Sequence, residues 1–217
     1  MVEFLAIIPA RGGSKGIPRK NVIDFCGKPL IAHTISAALN SKYIKQVIVT
    51  TDCDEIAKVS ETHGAEIIKR PAEFATDTAK TIDAIMHVIE NSESENIVLL
   101  QPTSPLRKTF HVDEAIEMFL AHGESVVSVN ETKSPLLIRD VRNKPILYQR
   151  SDVRRQDSPV YNIVNGAIYI NKTKEITQNT SFNDNTIAYV MDKKYSIDID
   201  EPLDLKIAET IYHSEYL

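Results

Sequence analysis

A three-layer α/β fold, with a mainly parallel sheet covered by helices on both faces, follows from three features of the sequence. Short apolar runs alternate with segments of helical periodicity along the chain. The runs are apolar at nearly every residue rather than every second one, the pattern of strands buried on both faces. Glycine or proline punctuates several of the junctions. Right-handed crossovers in such a fold gather the strand-to-helix loops at one edge of the sheet.

The elements fall in order. EFLAIIPA (3–10) is a buried strand ending at Pro9. Leu30, Ile31, Ile35, Ala38 and Leu39 then predict a helix over 29–40. KQVIVTTD (45–52) is a second strand, DEIAKVSETHG (54–64) a helix closed by glycine, and AEIIKR (65–70) a third strand. Ile82, Ile85, Met86 and Ile89 mark one helix face at i, i+3, i+4 and i+7. NIVLLQ (96–101), closed by Pro102, is the next buried strand. A helix carrying Val112, Ile116, Phe119 and Leu120 and the strand ESVVSVN (124–130) follow. The pattern breaks over 131–165, where Pro135, Pro145 and Pro159 interrupt it and Arg139, Arg142, Arg150, Arg154 and Arg155 cluster. That stretch reads as an excursion from the core sheet, a hairpin arm over the site or into a partner subunit. NGAIYIN (165–171) and IAYVM (187–191) return as strands, and residues 202–213 form a last helix. With no internal repeat or low-complexity linker, residues 1–217 read as one domain, with 131–165 and about 172–186 as insertions beside the site and the dimer contact.

Composition excludes several classes. An apolar share of 42% and a charged share of 25% describe an ordinary globular chain. No apolar run approaches the roughly 20 residues that span a bilayer. FLAIIPA is too short for a signal peptide core, and Glu3 stands where basic residues would be expected. The two cysteines, Cys26 and Cys53, have no metal-like spacing and read as packing residues of a cytoplasmic protein. A net charge of −5 argues against nucleic acid as the partner. Positive charge is nevertheless concentrated in the first twenty residues, where Arg11, Lys15, Arg19 and Lys20 face only Glu3.

That concentration coincides with PARGGSKGIPRKN (9–21), a glycine loop between the first strand and a helix. Gly12, Gly13 and Gly16 let the backbone approach a ligand and expose N–H groups to anionic oxygens. Ser14 adds a hydroxyl, and Arg11, Lys15 and Lys20 add charge. The spacing is neither that of a P-loop nor that of a dinucleotide fingerprint. An exposed flexible basic loop is the plain alternative, and the place after the first buried strand favours a phosphate cradle.

At the other end, SIDIDEP (196–202) sets Asp198 and Asp200 two apart on an extended segment, so both carboxylates face one side. Two hard oxygen ligands there suit Mg²⁺ completed by water and phosphate oxygens. Asp200, two residues before Pro202, is equally placed to cap the last helix. Gln101 ends a buried strand at the strand-end crevice, as a ligand contact or as a satisfied polar terminus. Asn165 and Tyr169, four apart on a strand, share a face, with a core tyrosine and a turn asparagine as the alternative. Six histidines are scattered and none is assigned a catalytic role.

IPARGGSKGIPRKN resembles the signature of the cytidylyltransferases that activate sialic acid and related nine-carbon acidic sugars, legionaminate among them. The resemblance continues in order through GKPLIAHTI, VIVTTD, RPAEFATDTA, LLQPTSPLR, NGAIYIN and SIDIDEPLDL, and is weakest over 131–160. It implies a nucleotide-diphospho-sugar transferase type of Rossmann-like sheet with a small dimerisation arm. It also implies CTP and an acidic nonulosonate as substrates, Mg²⁺ or Mn²⁺ as cofactor, and a homodimer without nucleic acid or membrane. Arg11, Ser14, Lys20 and Asn21 would then hold the CTP phosphates and ribose, with Gly12, Gly13 and Lys15 in the same loop. Arg70 and Thr81 would contact cytosine, and Asp198 and Asp200 would bind the metal. Gln101, Arg155, Asn165, Tyr169 and Phe182 would border the sugar, and Arg11, Lys20 and Asp198 would carry the catalysis. Two positions depart from the better-known pattern. Leu137 stands where it has lysine, and Phe182 followed by Asn183 stands where it has two consecutive phenylalanines contributed by the partner subunit. The competing readings are transfer to a sugar 1-phosphate from UTP or GTP, and a non-catalytic nucleotide-binding regulator.

Overall fold

The computed structural model describes residues 2–76, 78–134, 137–139, 145–147 and 154–215; the side chains of 137–139, 145–147 and Arg155 are outside the description. Strand β1 (Phe4–Pro9) is followed by a two-stranded ribbon, β2 (Asp24–Phe25) and β3 (Lys28–Pro29), and then by α1 (Leu30–Leu39). β4 (Ile44–Thr51), α2 (Asp54–Thr62), β5 (Glu66–Lys69), α3 (Thr81–Glu90) and β6 (Asn96–Leu100) continue the alternation. After α4 (Thr109–His122) come β7 (Val126–Thr132), a small antiparallel pair of β8 (Leu137–Arg139) and β9 (Pro145–Leu147), and the long β10 (Tyr161–Lys172). β11 (Ile187–Val190) and α5 (Pro202–Glu215) complete the chain. Helices and sheet strands thus stand where periodicity places them. β8 and β9 pair antiparallel within the proline-rich stretch, and β10 begins four residues before NGAIYIN.

The main sheet has seven strands in the order β11-β7-β10-β6-β1-β4-β5. Its pairs are parallel except those of β10, which runs antiparallel to β6 and β7. Alternate side chains feed opposite faces. Phe4, Ala6 and Ile8 pack under α1, α2 and α4, while Leu5 and Ile7 pack under α3. A third, smaller cluster joins Ile17 of the glycine loop, Phe25 of the ribbon, Leu30, Leu106, Ile199 and Ala208 of α5. This cluster fastens the first loop and the last segment to the same end of the sheet, where β1, β4, β5 and β6 all terminate.

β10 departs from regular pairing where the sequence reading assumed it. Its register against β7 shifts between Val164 and Tyr169, and Gly166 there has φ +76°. From Val164 to Tyr169 β10 advances five residues while its partner moves two, from Val129 to Val127, and an odd excess reverses the parity of a strand. Asn165 therefore reaches Met191 in the cluster under α4, whereas Tyr169 joins the cluster under α3. The expectation that these two share a face is corrected by the bulge.

Asp200 does not cap α5. Its side chain turns to Lys20, and Asp204 reaches back instead, accepting from the backbone N–H groups of Asp200 at 3.0 Å and Glu201 at 2.8 Å. Asp204→Ala should lose about 1 kcal/mol of stability, as helix N-terminal caps do; an unchanged denaturation midpoint would remove that role. His111, at the start of α4, is 3% exposed and its Nδ1 accepts the Lys108 N–H at 3.0 Å. Burial, reinforced by Arg107 and Lys108 and opposed by Glu215, lowers its pKa from 6.5 to about 4. The unfolded chain thus binds the extra proton between those values, so stability held above pH 6.5 is lost as pH falls toward about 4. His111→Gln should flatten that part of the stability–pH curve, and an equal slope in both proteins would contradict it.

Candidate active site

A cleft of about 660 Å³ opens at the edge where the parallel strands end. Arg11, Gly13, Ser14, Lys15 and Gly16 line one wall, continued by Lys20 and Asn21. Arg70, Phe74, Thr76, Lys80 and Thr81 line a second. Gln101, Pro102 and Thr103 after β6, with Asp198, Asp200 and Glu201, complete the ring. A larger hollow of about 1240 Å³ lies at the opposite edge. It presents Glu3, Glu66, Glu90, Glu93 and Glu95 against Lys45, a field that repels an anionic ligand.

The glycine loop is held from both sides. Asp52, just after β4, accepts the Gly12 N–H at 2.9 Å, so that amide is already used and Gly12 stands behind the cleft rather than in it. Arg11 donates to the Thr76 carbonyl at 3.1 Å, tying the loop to the wall opposite. The Asn21 amide donates to the Arg11 carbonyl at 3.1 Å, while its buried Oδ1 has no hydrogen-bond partner. Gly16 lies directly on the Asp200 carbonyl, leaving no room for a Cβ. Lys20 spans the same junction, donating to the Ile199 carbonyl at 2.8 Å and to Asp200 Oδ1 at 2.9 Å.

Asp198 and Asp200 behave differently. Asp200 is exposed and paired with Lys20. Asp198 is largely withdrawn from water, and burial, with Asp200 adding repulsion, raises its pKa against the pull of Thr103 and Lys20. One of its oxygens, Oδ1, is buried without a partner. An orphaned carboxylate oxygen beside a second carboxylate is the donor chemistry of a hard divalent cation. Among the described residues no group of three His, Cys, Asp or Glu side chains could hold a metal alone, so such an ion needs oxygens from a ligand or water.

Arg70 is 8% exposed and donates to the Thr50 carbonyl at 2.9 Å. Burial draws its pKa down, with Asp52 opposing and Arg11 reinforcing the shift. Thr81 opens α3 and borders both the cleft and a side pocket of about 480 Å³. Lys80, Gln101 and Thr81 form the shared wall, and Leu99, Tyr169, Phe182, Asn183 and the 178–181 turn line the rest. The Tyr169 hydroxyl donates to Asn183 Oδ1 at 3.1 Å, and burial with Asp198 nearby pushes its pKa up to about 12.

Most of the expected residues therefore converge. Asn165 does not: it lines neither cavity, its Oδ1 accepts from Ser128 and the Ala167 N–H, and its Nδ2 donates to Ser196 and Met191. Phe182 is buried against Tyr169 of its own chain, ring centroids 6.0 Å apart, so here it belongs to its own subunit's pocket. The side chains of Arg155 and Leu137 lie outside the described residues. Thr103, Lys80 and Glu201 line the cleft without having been assigned a role, although Thr103 lies within LLQPTSPLR, Glu201 within SIDIDEP and Lys80 directly after RPAEFATDTA.

Comparison with known proteins agrees with this geometry. A family model described as Cytidylyltransferase matches residues 5–209. The chain is 39% identical over 218 residues to an N-acylneuraminate cytidylyltransferase of Escherichia coli O18:K1:H7, covering 96% of this chain but 52% of that protein. It thus spans about half the length of that relative. To a CMP-N,N'-diacetyllegionaminic acid synthase of Legionella pneumophila it is 37% identical over 224 residues, covering 97% of this chain and 96% of the relative. A solved CMP:2-keto-3-deoxy-manno-octonic acid synthetase complexed with CTP shares the fold, with a TM-score of 0.74 at 16% identity over 98% of this chain and 99% of that one. The sheet order, the cleft at its strand ends and a match over most of the chain place this protein in the cytidylyltransferase family.

Proposed function

We propose that this protein couples CTP to an acidic nine-carbon α-keto sugar, a neuraminate or a legionaminate-type relative, giving a CMP-sugar and pyrophosphate. The observation that carries this reading is the meeting of the basic glycine loop, the Asp198/Asp200 pair and Gln101 in one cleft. The names of the relatives support the nucleotide and the sugar class.

The anomeric hydroxyl oxygen attacks the α-phosphorus in line, the bond to the bridging α–β oxygen breaks, and the hydroxyl proton passes to solvent. Arg11, Ser14, Lys15 and backbone N–H groups of the loop beyond Gly12 hold the triphosphate. Asn21, with its unpartnered Oδ1, accepts from the ribose. Lys20 follows the developing charge from its seat beside Asp200. Arg70 and Thr81 face the base. Gln101 fixes the sugar, with Tyr169 and Phe182 packing its side chain and Arg155 pairing its carboxylate. Asp198 with Asp200 would hold Mg²⁺, which supplies charge neutralisation at the α-phosphate and the departing pyrophosphate. Positioning and electrostatics supply most of the rate. Asn165 acts from behind, by supporting the β10 bulge.

We further assign the whole chain to one catalytic domain in the cytoplasm, consistent with two free cysteines. Among the described residues no helix is long and apolar enough to cross a membrane. Exposed Val160, Ile163, Val164 and Val190 offer an apolar surface for a homodimer contact.

Pyrophosphate release should depend on CTP, Mg²⁺ and a nonulosonate, tested across four nucleotides with N-acetylneuraminate, legionaminate and pseudaminate. Turnover that requires a sugar phosphate and ignores keto acids would refute the substrate. Asp198→Ala should lower kcat by roughly 10²–10³-fold with the fold retained; normal turnover would remove its metal role. Asn183→Phe should change the ranking of the three sugars by several-fold in KM while CTP affinity stays constant, and an unchanged ranking would detach the side pocket from the sugar. Sedimentation at assay concentration should give twice the 24.3 kDa chain mass, and a monomer would exclude the dimer.

A further inference from the structure

Arg107 is the one fully described arginine in the buried interior away from the ligand walls, 2% exposed at the start of the turn into α4. No carboxylate pairs with it in the described structure; burial alone lowers its pKa to about 9. Instead its guanidinium is spread over three acceptors. Nη1 donates to the Ala167 carbonyl at 2.7 Å and the Gln101 carbonyl at 3.3 Å, and Nη2 donates to Thr34 Oγ1 at 2.6 Å. Burying a cation this way is expensive, and a well-packed apolar residue would normally serve the core better.

The place explains the choice. The ladder between β6 and β10 ends at Ile168 opposite Leu100, so the next pair, Ala167 and Gln101, lacks a backbone rung. On the other side of β10 the register against β7 is broken as well. Side chains replace both sets of missing bonds. Ser128 and Asn165 accept the Ile168 and Ala167 N–H groups at 2.7 and 3.1 Å, and Arg107 takes the two carbonyls. In the gap so held open sits Gly166. A methyl group on it would come within 2.8 Å of Gln101 Oε1 and 3.5 Å of Asp198 Oδ2. The sugar-side amide and the metal-side carboxylate therefore converge on one backbone position whose distance from β6 is set by a rigid fork.

We propose that Arg107 is a positioning residue that, with Gly166 opposite, fixes where Gln101 presents its amide beside Asp198. The inference rests on the assignment of Gln101 to the sugar. A planar guanidinium fork spans two carbonyls and a hydroxyl in one fixed geometry, whereas lysine gathers its acceptors around a single nitrogen at the end of a flexible stem. Displacing a substrate-orienting group by about 1 Å can cost up to 10²-fold.

Arg107→Lys should raise KM for the sugar about tenfold and leave the Kd of CTP, measured by calorimetry without sugar, within about twofold. Arg107→Met should raise that KM further, so that the conservative variant partly rescues. If either variant accumulates poorly, Thr34→Val removes a single acceptor of the fork and should shift the sugar KM in the same direction by a smaller factor. A fall in Tm with an unchanged sugar KM, or equal losses for sugar and CTP, would overturn the proposal. Hydrogen exchange of the substrate-free protein separates this from an error in the substrate. In Arg107→Lys the amides of Gln101, Thr103, Ser104 and 166–168 should exchange faster, with those of β1 and β4 unchanged, whichever sugar is used. Unaltered exchange there overturns the mount itself, whereas wild-type protein inactive on every nonulosonate counts against the substrate alone.

Discussion

The cleft depends on a close backbone contact between segments more than 180 residues apart. Gly16 rests on the carbonyl of Asp200 with no space for a side chain, and Lys20 bridges the same seam to Ile199 and Asp200. Without that contact the cationic loop and the two carboxylates would be separate surface features. With it, opposite charges face each other across a few ångströms, in a setting where Coulomb interactions are stronger than in water. The small apolar cluster of Ile17, Phe25, Leu106, Ile199 and Ala208 holds the seam closed from beneath, so apolar burial away from the ligand sets the electrostatics in front of it.

A second constraint acts at β10, the one antiparallel strand of the sheet. Inserting it between β6 and β7 brings Tyr169 beside the strand-end edge, at the expense of regular pairing near Gly166. The resulting bulge is lined by polar side chains that are buried and nearly all hydrogen-bonded: Asn165, Ser128, Thr34 and Arg107. Networks of this kind are rigid when satisfied and costly when broken. The side pocket rests on that rigidity, since Tyr169 leaves the bulge with its hydroxyl directed to Asn183.

The two carboxylates illustrate how environment divides a repeated residue. Asp200 is exposed, paired with a lysine and replaced as a helix cap by Asp204. Asp198, two residues earlier, is buried with an unpartnered oxygen and a raised pKa. Sequence spacing treats them as equals; burial leaves one with an unpartnered oxygen and the other exposed and screened by a lysine.

Much of this was legible in the chain itself. Apolar runs of strand length and helical periodicity depend on local burial, and so the elements, a mainly parallel sheet and the strand-end edge of the cleft could be read without coordinates. The glycine loop and the Asp198/Asp200 pair could be picked out too, because each is a short run of neighbouring residues, and the structure brings both to one cleft. What only the tertiary structure decided are relations between distant segments. The use of the Gly12 amide by Asp52, the turning of Asp200 to Lys20, the withdrawal of Asn165 behind the cleft and the placing of Arg107 all depend on strands that meet in space. The register shift around Gly166 reverses the parity of β10, and no periodicity in the sequence marks it, because the residues on either side remain good strand formers.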